Sequence, residues 1–143
     1  MILYRGTKSK ERLPFRGYRG ACVFFTSRFD TAADYAAGEK SVDESGRGWV
    51  QKYDVGRQQI LDAGSREARH ILANYYKSPF QLYMEEQFLE PADMFVQVVT
   101  SEGYSGLKLG DELCLFWIRE AVLLSRWRVT YDPETGNFTR SAA

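Results

Sequence analysis

Residues 20–36 of the chain read GACVFFTSRFDTAADYA, and this stretch decides the predicted fold. Its apolar run from Cys22 to Thr26 predicts a buried strand, and the alanine-rich segment that follows predicts a short helix with Asp30 or Thr31 as its N-cap. Gly38 is expected to end this helix. The stretch therefore predicts a strand whose polar end leads directly into a helix.

Two other short segments combine an apolar strand with a polar group at one end. Residues 3–7 read LYRGT and residues 111–116 read DELCLF. The first ends with Arg5 and the second begins with Glu112. A site at one end of a small sheet requires this arrangement, so we expect the three segments to meet there.

The rest of the pattern predicts strands at both ends of the chain and helices between them. Further strands are expected at residues 2–5, 49–54, 106–109, 112–116, 122–131 and 138–140, and helices at 65–76, 80–89 and 92–101. Strands flanking a helical middle are typical of the α+β class. With 143 residues, of which 44% are apolar, the chain is expected to form one domain over residues 1–143.

Composition and charge limit the classes of partner. Lys plus Arg and Asp plus Glu both total 19, so no global field attracts nucleic acid or an anionic membrane. Neither a signal peptide nor an apolar run long enough to span a bilayer is expected, so we predict no membrane partner. Cys22 and Cys114 lie in apolar runs and are expected to be free thiols, which suits a cytoplasmic location.

One stretch departs from the neutral balance. Residues 8–19 carry five basic residues against one acidic residue. This stretch is a candidate for binding phosphate, or for guiding a nucleic acid past Phe15 and Tyr18, whose rings would stack on bases. A charged stretch of this kind is also often solvated surface.

The inventory of side chains argues against a metal site and against a histidine-activated nucleophile. His70 is the single histidine, and both cysteines are remote from it in sequence. Neither a cluster of nitrogen and sulfur ligands nor a Cys-His or Ser-His pair is therefore expected. We predict no metal.

Arg5 and Glu112 each have a chemical and an ordinary interpretation. A carboxylate can stabilise a sugar cation, as in glycoside hydrolysis, and a planar guanidinium suits a diphosphate or a ribose edge. In the ordinary interpretation Glu112 is a solvated charge at a strand start, and Arg5-Gly6 leads into a turn. Gly6 would also let a ligand approach the backbone closely.

The aromatic and hydroxyl candidates are also ambiguous. Tyr35 could stack on a flat heterocycle, although an aromatic residue beside alanines more often packs in the core. Thr26 and Ser27 could orient Glu112 or a ribose, although two hydroxyls before a helix also act as caps.

Together the three segments resemble the signature of ADP-ribosyltransferases, most closely that of the poly(ADP-ribose) polymerase-like branch. In that branch a strand ending in His-Gly-Ser or Arg-Gly-Thr precedes Gly-x-Gly-Ile-Tyr-Phe-Ala and a helix bearing tyrosine. Asn-Glu-Tyr-Ile-Val-Tyr follows later. Residues 4–7, 20–36 and 111–116 match these motifs in order and character. Residues 103–107, GYSGL, also resemble a Gly-Tyr-Asp-Gly run found before the glutamate in small bacterial and phage members.

The resemblance implies a fold and a set of functional residues. The fold is a split β-sandwich of two small sheets with helices inserted in the middle, and NAD is the co-substrate. Glu112 and Arg5 would be catalytic, and Phe24 and Tyr35 would flank the nicotinamide ring. The residues that would bind NAD are Arg5, Gly6, Thr7, Phe24, Thr26, Ser27 and Tyr35. The basic stretch, which joins the first two strands, would then cover the NAD diphosphate.

Three departures from the family pattern narrow the implied activity. Arg5 replaces the histidine of the polymerases, which implies transfer of a single ADP-ribose. Gly110 stands where arginine-modifying relatives carry Glu or Gln, which argues against arginine as the acceptor. Ala32 replaces a serine that bonds the carboxamide, so Ser27 or Thr26 would supply that contact.

Small members of this family include toxins of toxin–antitoxin pairs, bacterial effectors and phage inhibitors such as anti-CRISPR transferases. The resemblance thus implies a macromolecular acceptor, a protein rather than a nucleic acid, and an antitoxin or inhibitor as a further partner. Two alternatives stay open. One is a binding module that keeps the pocket without catalysis, and the other is an NAD glycohydrolase or an enzyme like RNA 2′-phosphotransferase.

Overall fold

A computed structural model describes residues 1–11, 16–87 and 91–142 of the chain. Within these residues, strands and helices alternate in the order β1 (Ile2–Thr7), β2 (Arg16–Thr26), α1 (Phe29–Ala37), β3 (Arg47–Asp54), β4 (Ile60–Asp62), α2 (Arg66–Lys77), α3 (Pro79–Glu86), α4 (Pro91–Ser101), β5 (Gly106–Leu109), β6 (Glu112–Glu120), β7 (Val122–Asp132) and β8 (Asn137–Ala142). This content confirms the predicted α+β class. None of these helices combines the length and the apolar character needed to span a membrane.

The eight strands of the described chain form one sheet in the order β4-β5-β6-β2-β1-β3-β7-β8. Neighbouring strands are antiparallel except for β4 and β5, which are parallel. The prediction of two separate sheets is therefore wrong, because hydrogen bonding continues from one half to the other. The finer assignment to a split β-sandwich is not established by this topology.

The sheet is nevertheless almost divided between β1 and β2. Within the described residues these strands share one aligned pair, Tyr4 with Thr26. By contrast, β1 pairs with β3 along its whole length, and β2 pairs with β6 from Arg16 to Thr26. Because β1 keeps its ladder with β3, and β2 keeps most of its ladder with β6, the two strands can separate from each other without losing those ladders. A cleft forms at this separation.

Three apolar clusters stabilise the two halves. One packs α2, α3 and α4 on β4, β5 and β6, and includes Val99 and Phe116. The second lies within the sheet around Phe25 and Tyr53. The third packs the alanines of α1 against Val50 and Val129. The helical middle predicted from sequence thus covers one half of the sheet, and α1 covers the other.

Helix α1 approaches β1 unusually closely. Its alanines Ala32, Ala33 and Ala36 are fully buried. A Cβ atom built on Gly6 would overlap the carbonyl oxygen of Ala32 and also meet the backbone nitrogen of Ala36. The absence of a side chain at Gly6 therefore admits the helix. The interpretation that Gly6 also lets a ligand approach the backbone stays a prediction beside this packing role.

Substitution of Gly6 by alanine is expected to destabilise the protein. The clash is with helix backbone, which cannot move aside as a flexible side chain can, so the cost should be about 3 kcal/mol, the upper end for overpacking. Urea denaturation followed by circular dichroism measures it. Gly64→Ala is the control, because its added Cβ would make ordinary contact with Asp62. Equal stability of the two variants would contradict the packing role.

Most predicted boundaries agree with the structure, and the differences have local causes. Helix α1 begins after Arg28 rather than after Asp30 or Thr31, because the Thr26 side chain accepts a hydrogen bond from the Arg28 N–H and turns the chain earlier. Strand β2 begins at Arg16, before the strand predicted from Cys22. Phe15, with the rest of residues 12–15 of the basic stretch, and positions 88 and 89 of the helix predicted at 80–89 lie outside the described residues.

Candidate functional site

A cavity of about 720 Å³ occupies the cleft between β1 and β2. We call it the main cavity; residues of β1, β2, α1, the following loop and the start of β6 line it, among them Arg5, Phe24, Tyr35 and Glu112. Its volume falls within the range of small-molecule and cofactor sites. The three sequence segments therefore meet at one place.

The sheet register explains why they meet. Tyr4 lies opposite Thr26, Thr26 opposite Glu112, and Glu112 opposite Leu109. These four residues form one row across β1, β2, β6 and β5, and each lines the main cavity. Residues far apart in sequence are brought together by this row.

Of the predicted site residues, seven line the main cavity and one does not. The seven are Arg5, Gly6, Thr7, Phe24, Thr26, Tyr35 and Glu112. Ser27 is exposed and is not among the described residues that line the cavity. The contribution of Ser27 stays a prediction without support from the cavity lining, since Ser27 lies in the turn between β2 and α1.

Arg5 is a half-buried cation at the cavity wall. It lies opposite Gln51 on β3, and burial lowers the pKa of its guanidinium, with Tyr53 acting in the opposite direction. Within the described part of the chain, Arg5 makes no hydrogen bond or ion pair. Arginine stays protonated in proteins, so the cavity holds a desolvated positive charge that an anionic ligand group would neutralise.

Tyr35 and Glu112 contact each other. A hydrogen bond to the Glu112 side chain, more than burial, raises the pKa of the Tyr35 hydroxyl. Tyr35 is 40% exposed, so it is not the core aromatic residue of the ordinary interpretation. The Lys40 ammonium lies 5.3 Å from the centre of its ring. Lys40 also lines the cavity, and its position in a polar loop gave no signal of this in the sequence.

A tight hairpin places Glu112. Gly110 and Asp111 form the connection between β5 and β6, and Gly110 has φ +64°, a conformation that favours glycine. Glu112 is the first residue of β6 and pairs with Leu109 across this turn. This turn fixes the start of the strand that carries the carboxylate.

Thr26 secures the same point from the neighbouring strand. Its hydroxyl donates a hydrogen bond to the Asp111 carbonyl oxygen at 2.8 Å and accepts one from the Arg28 N–H at 3.1 Å. The side chain is 3% exposed. Thr26 therefore holds the backbone beside Glu112 and also starts the turn into α1.

Replacing Thr26 by valine should distinguish the contribution of its hydroxyl to stability from that of its shape. Valine keeps the volume but leaves two backbone groups without their partner, so we expect a loss of roughly 1–2 kcal/mol in the free energy of unfolding. Thr26→Ser retains the hydroxyl and is the control. Thermal and urea denaturation of both variants check this. A valine variant as stable as the wild type would contradict the role given to the hydroxyl.

The basic stretch does not act as one unit in the structure. Lys8 lines the main cavity, but its ammonium pairs with Asp43 at 2.7 Å and donates to the Arg47 carbonyl oxygen at 2.7 Å. Arg19 instead stacks on Trp117 in a different cavity. The positive charge of Lys8 is thus already neutralised. Of the two basic residues in positions 1–8, Arg5 is therefore the one without a partner among the described residues.

The Lys8 contact should be visible in the titration of Asp43. Hydrogen bonding to Lys8, with further bonds from Ser45, lowers the pKa of Asp43 from 3.8 to about 2. Because the folded pKa is lowered, the contact persists above the ordinary value and is lost as the pH falls through about 2. Carboxyl NMR of Lys8→Met should show the pKa raised toward 3.8. Lys10→Met is the control and should leave it low; an unchanged value in both variants would contradict the pairing.

The two cysteines are joined beside the main cavity, which Cys22 lines. Cys22 on β2 and Cys114 on β6 form a disulfide with their Cα atoms 5.2 Å apart. The prediction of two free thiols is therefore wrong in this structure. The sequence did not reveal the pairing, since the two positions are 92 residues apart and the β2–β6 ladder brings them together.

Comparison of the chain with models of protein families, with curated proteins and with solved structures gives no match. The described residues also contain no group of three His, Cys, Asp or Glu side chains placed to hold a metal ion. A function for this chain is therefore inferred from the chemistry and geometry of the main cavity.

Proposed function

We propose that the protein is a mono-ADP-ribosyltransferase that cleaves NAD in the main cavity and transfers ADP-ribose to a protein acceptor. The observation that carries this proposal is the meeting of Arg5, Tyr35 and Glu112, from three distant segments, around one cavity. The family resemblance assigns these same positions to NAD.

The residues supply complementary parts of the chemistry. Breaking the bond between nicotinamide and the ribose C1′ sends the electron pair to nicotinamide and leaves an oxocarbenium-like sugar. A carboxylate stabilises such a cation, and Glu112 lies beside Tyr35 at the start of β6, where the β5–β6 hairpin fixes its backbone. The acceptor then forms a bond to C1′ and releases a proton. Nicotinamide and the modified acceptor are the products.

The cavity wall offers contacts to both the nicotinamide ring and the diphosphate of NAD. Phe24 is 54% exposed and, with Tyr35, offers aromatic surface to the nicotinamide ring. Arg5 offers an unpaired guanidinium to the diphosphate. Lys40, which covers the Tyr35 ring, is close enough to the same ligand to contribute a second positive charge.

The rim favours a protein over a nucleic acid as acceptor. Four large apolar side chains are exposed where the cavity opens, at Phe24, Tyr35, Val42 and Leu109. Phosphates of a nucleic acid bind to free cations, and two of the cations nearby, Lys8 and Arg28, are already paired with Asp43 and Asp111 respectively, while Arg5 and Lys40 are assigned to NAD. An apolar rim is typical of a protein contact.

Incubation with NAD labelled on the adenylate phosphate and with a cell lysate tests the proposal. We expect label on protein together with stoichiometric nicotinamide. Free ADP-ribose without labelled protein would replace transfer by hydrolysis. Absence of nicotinamide release would overturn the enzymatic proposal and favour a binding module.

A further inference from the structure

A second cavity, of about 510 Å³, opens where β2 separates from β6 next to α4. Between the pairs Arg19–Trp117 and Val23–Leu115 the ladder contains a bulge, with more residues on β2 than on β6. The N–H groups of Phe116 and Trp117 donate instead to the Ser105 carbonyl oxygen, at 3.0 and 3.3 Å. The opening is thus built into the sheet, and bulges are frequent beside functional sites.

One wall of this second cavity is a polar face of α4. Asp93, Gln97 and Thr100 have the spacing that places side chains on one side of a helix, and all three line the cavity. Within the described residues none of these side chains makes a hydrogen bond or ion pair. The wall therefore presents a carboxylate, an amide and a hydroxyl that are available to a ligand.

The opposite wall carries a stacked cation and ring. The Arg19 guanidinium lies 4.9 Å from the centre of the Trp117 ring, and Trp117 is 42% exposed. Among the described carboxylates none pairs with Arg19. An exposed tryptophan beside an unpaired arginine offers stacking surface and positive charge at the same point.

We propose that the second cavity binds a nucleoside monophosphate. The base would stack on Trp117, the phosphate would pair with Arg19, and the ribose hydroxyls would donate to the Asp93 carboxylate. A purely cationic ligand would be repelled by Arg19, and a purely apolar one would leave Asp93 unpaired. A nucleotide has the ring, the anion and the hydroxyl donors together.

This proposal does not depend on NAD cleavage in the main cavity. The two cavities use different parts of β2, since the second is lined by Arg19 and Gly20 and the main one by residues 22–26. Each can therefore be tested with the other intact or disabled.

Calorimetric titration with AMP tests the assignment. Trp117→Leu should bind AMP at least about tenfold more weakly, because a base stacked on an aromatic ring loses that much when the ring is removed. Arg19→Gln should show a comparable loss. Arg57→Gln, at an exposed position that lines neither cavity, should bind AMP as the wild type does. Circular dichroism confirms that each variant is folded.

Asp93→Asn provides a second check at an exposed helix position. It should weaken AMP but leave unchanged the analogue that lacks both ribose hydroxyls. Titration with the trinucleotide pApApA distinguishes two possible ligands. Binding as tight as that of AMP indicates that the cavity takes the 5′-phosphate end of a nucleic-acid strand, and weaker binding indicates that it takes a free nucleotide. No AMP binding up to about 1 mM, or AMP binding that Trp117→Leu and Arg19→Gln leave as tight as in the wild type, would overturn the proposal.

Discussion

Glu112→Gln is expected to reduce nicotinamide release from NAD by roughly 10²–10³-fold, the usual effect of removing one preorganised group that stabilises transition-state charge. Glutamine keeps the size of the side chain and its place at the start of β6. It cannot supply the negative charge that would face the developing sugar cation. NAD affinity should therefore change little while the rate falls.

A matched control lies on the same strand. Glu120 is exposed at the far end of β6, so Glu120→Gln removes an equal charge away from the main cavity. Its rate of nicotinamide release should equal that of the wild type. If Glu112→Gln and Glu120→Gln release nicotinamide at the same rate, Glu112 has no part in the chemistry.

Arg5→Gln is expected to weaken NAD binding by roughly 30-fold or more, as for other truncations of a buried charge that bonds an anion. The reason is the unpaired guanidinium at the cavity wall. Burial lowers its pKa, which means that burial disfavours the charged form. Arg5→Gln removes the charge and, with it, the free-energy cost of burying that charge. The stability of the variant should thus be equal to or greater than that of the wild type.

Binding and stability together distinguish a ligand contact from a structural one. NAD is titrated calorimetrically into Arg5→Gln and its parent, both carrying Glu112→Gln to prevent turnover, and urea denaturation is measured in parallel. Arg57→Gln, at an exposed position, is the control for loss of a charge. Reduced stability with unchanged NAD affinity would assign Arg5 to the fold and remove it from the site.

Strands and helices that are long enough to show a clear hydrophobic periodicity were predictable from the sequence. Strand β5 has the predicted bounds, and the helix predicted from residue 65 begins one residue later at Arg66, with Ser65 as its N-cap accepting a hydrogen bond from the Ala68 N–H. Strand β4 was missed because it has three residues and is defined by a parallel partner more than forty residues later. Local periodicity carries no information about such a partner.

The candidate site was predictable at the positions where a strand ends in a polar residue. Arg5 and Glu112 fall there, and the sheet register brings them to one cavity. The role of Gly6 was not predictable, since the carbonyl that it must admit belongs to a helix 26 residues later in the chain. Lys40 and the Cys22–Cys114 pair were missed for the same reason, because tertiary contacts alone define them.

The most direct test is a crystal structure of the Glu112→Gln variant with NAD, which this substitution should leave uncleaved. We predict the nicotinamide ribose within hydrogen-bond distance of residue 112 and the diphosphate beside Arg5. NAD bound elsewhere on the protein, or a main cavity left empty at saturating NAD, would contradict the proposed site.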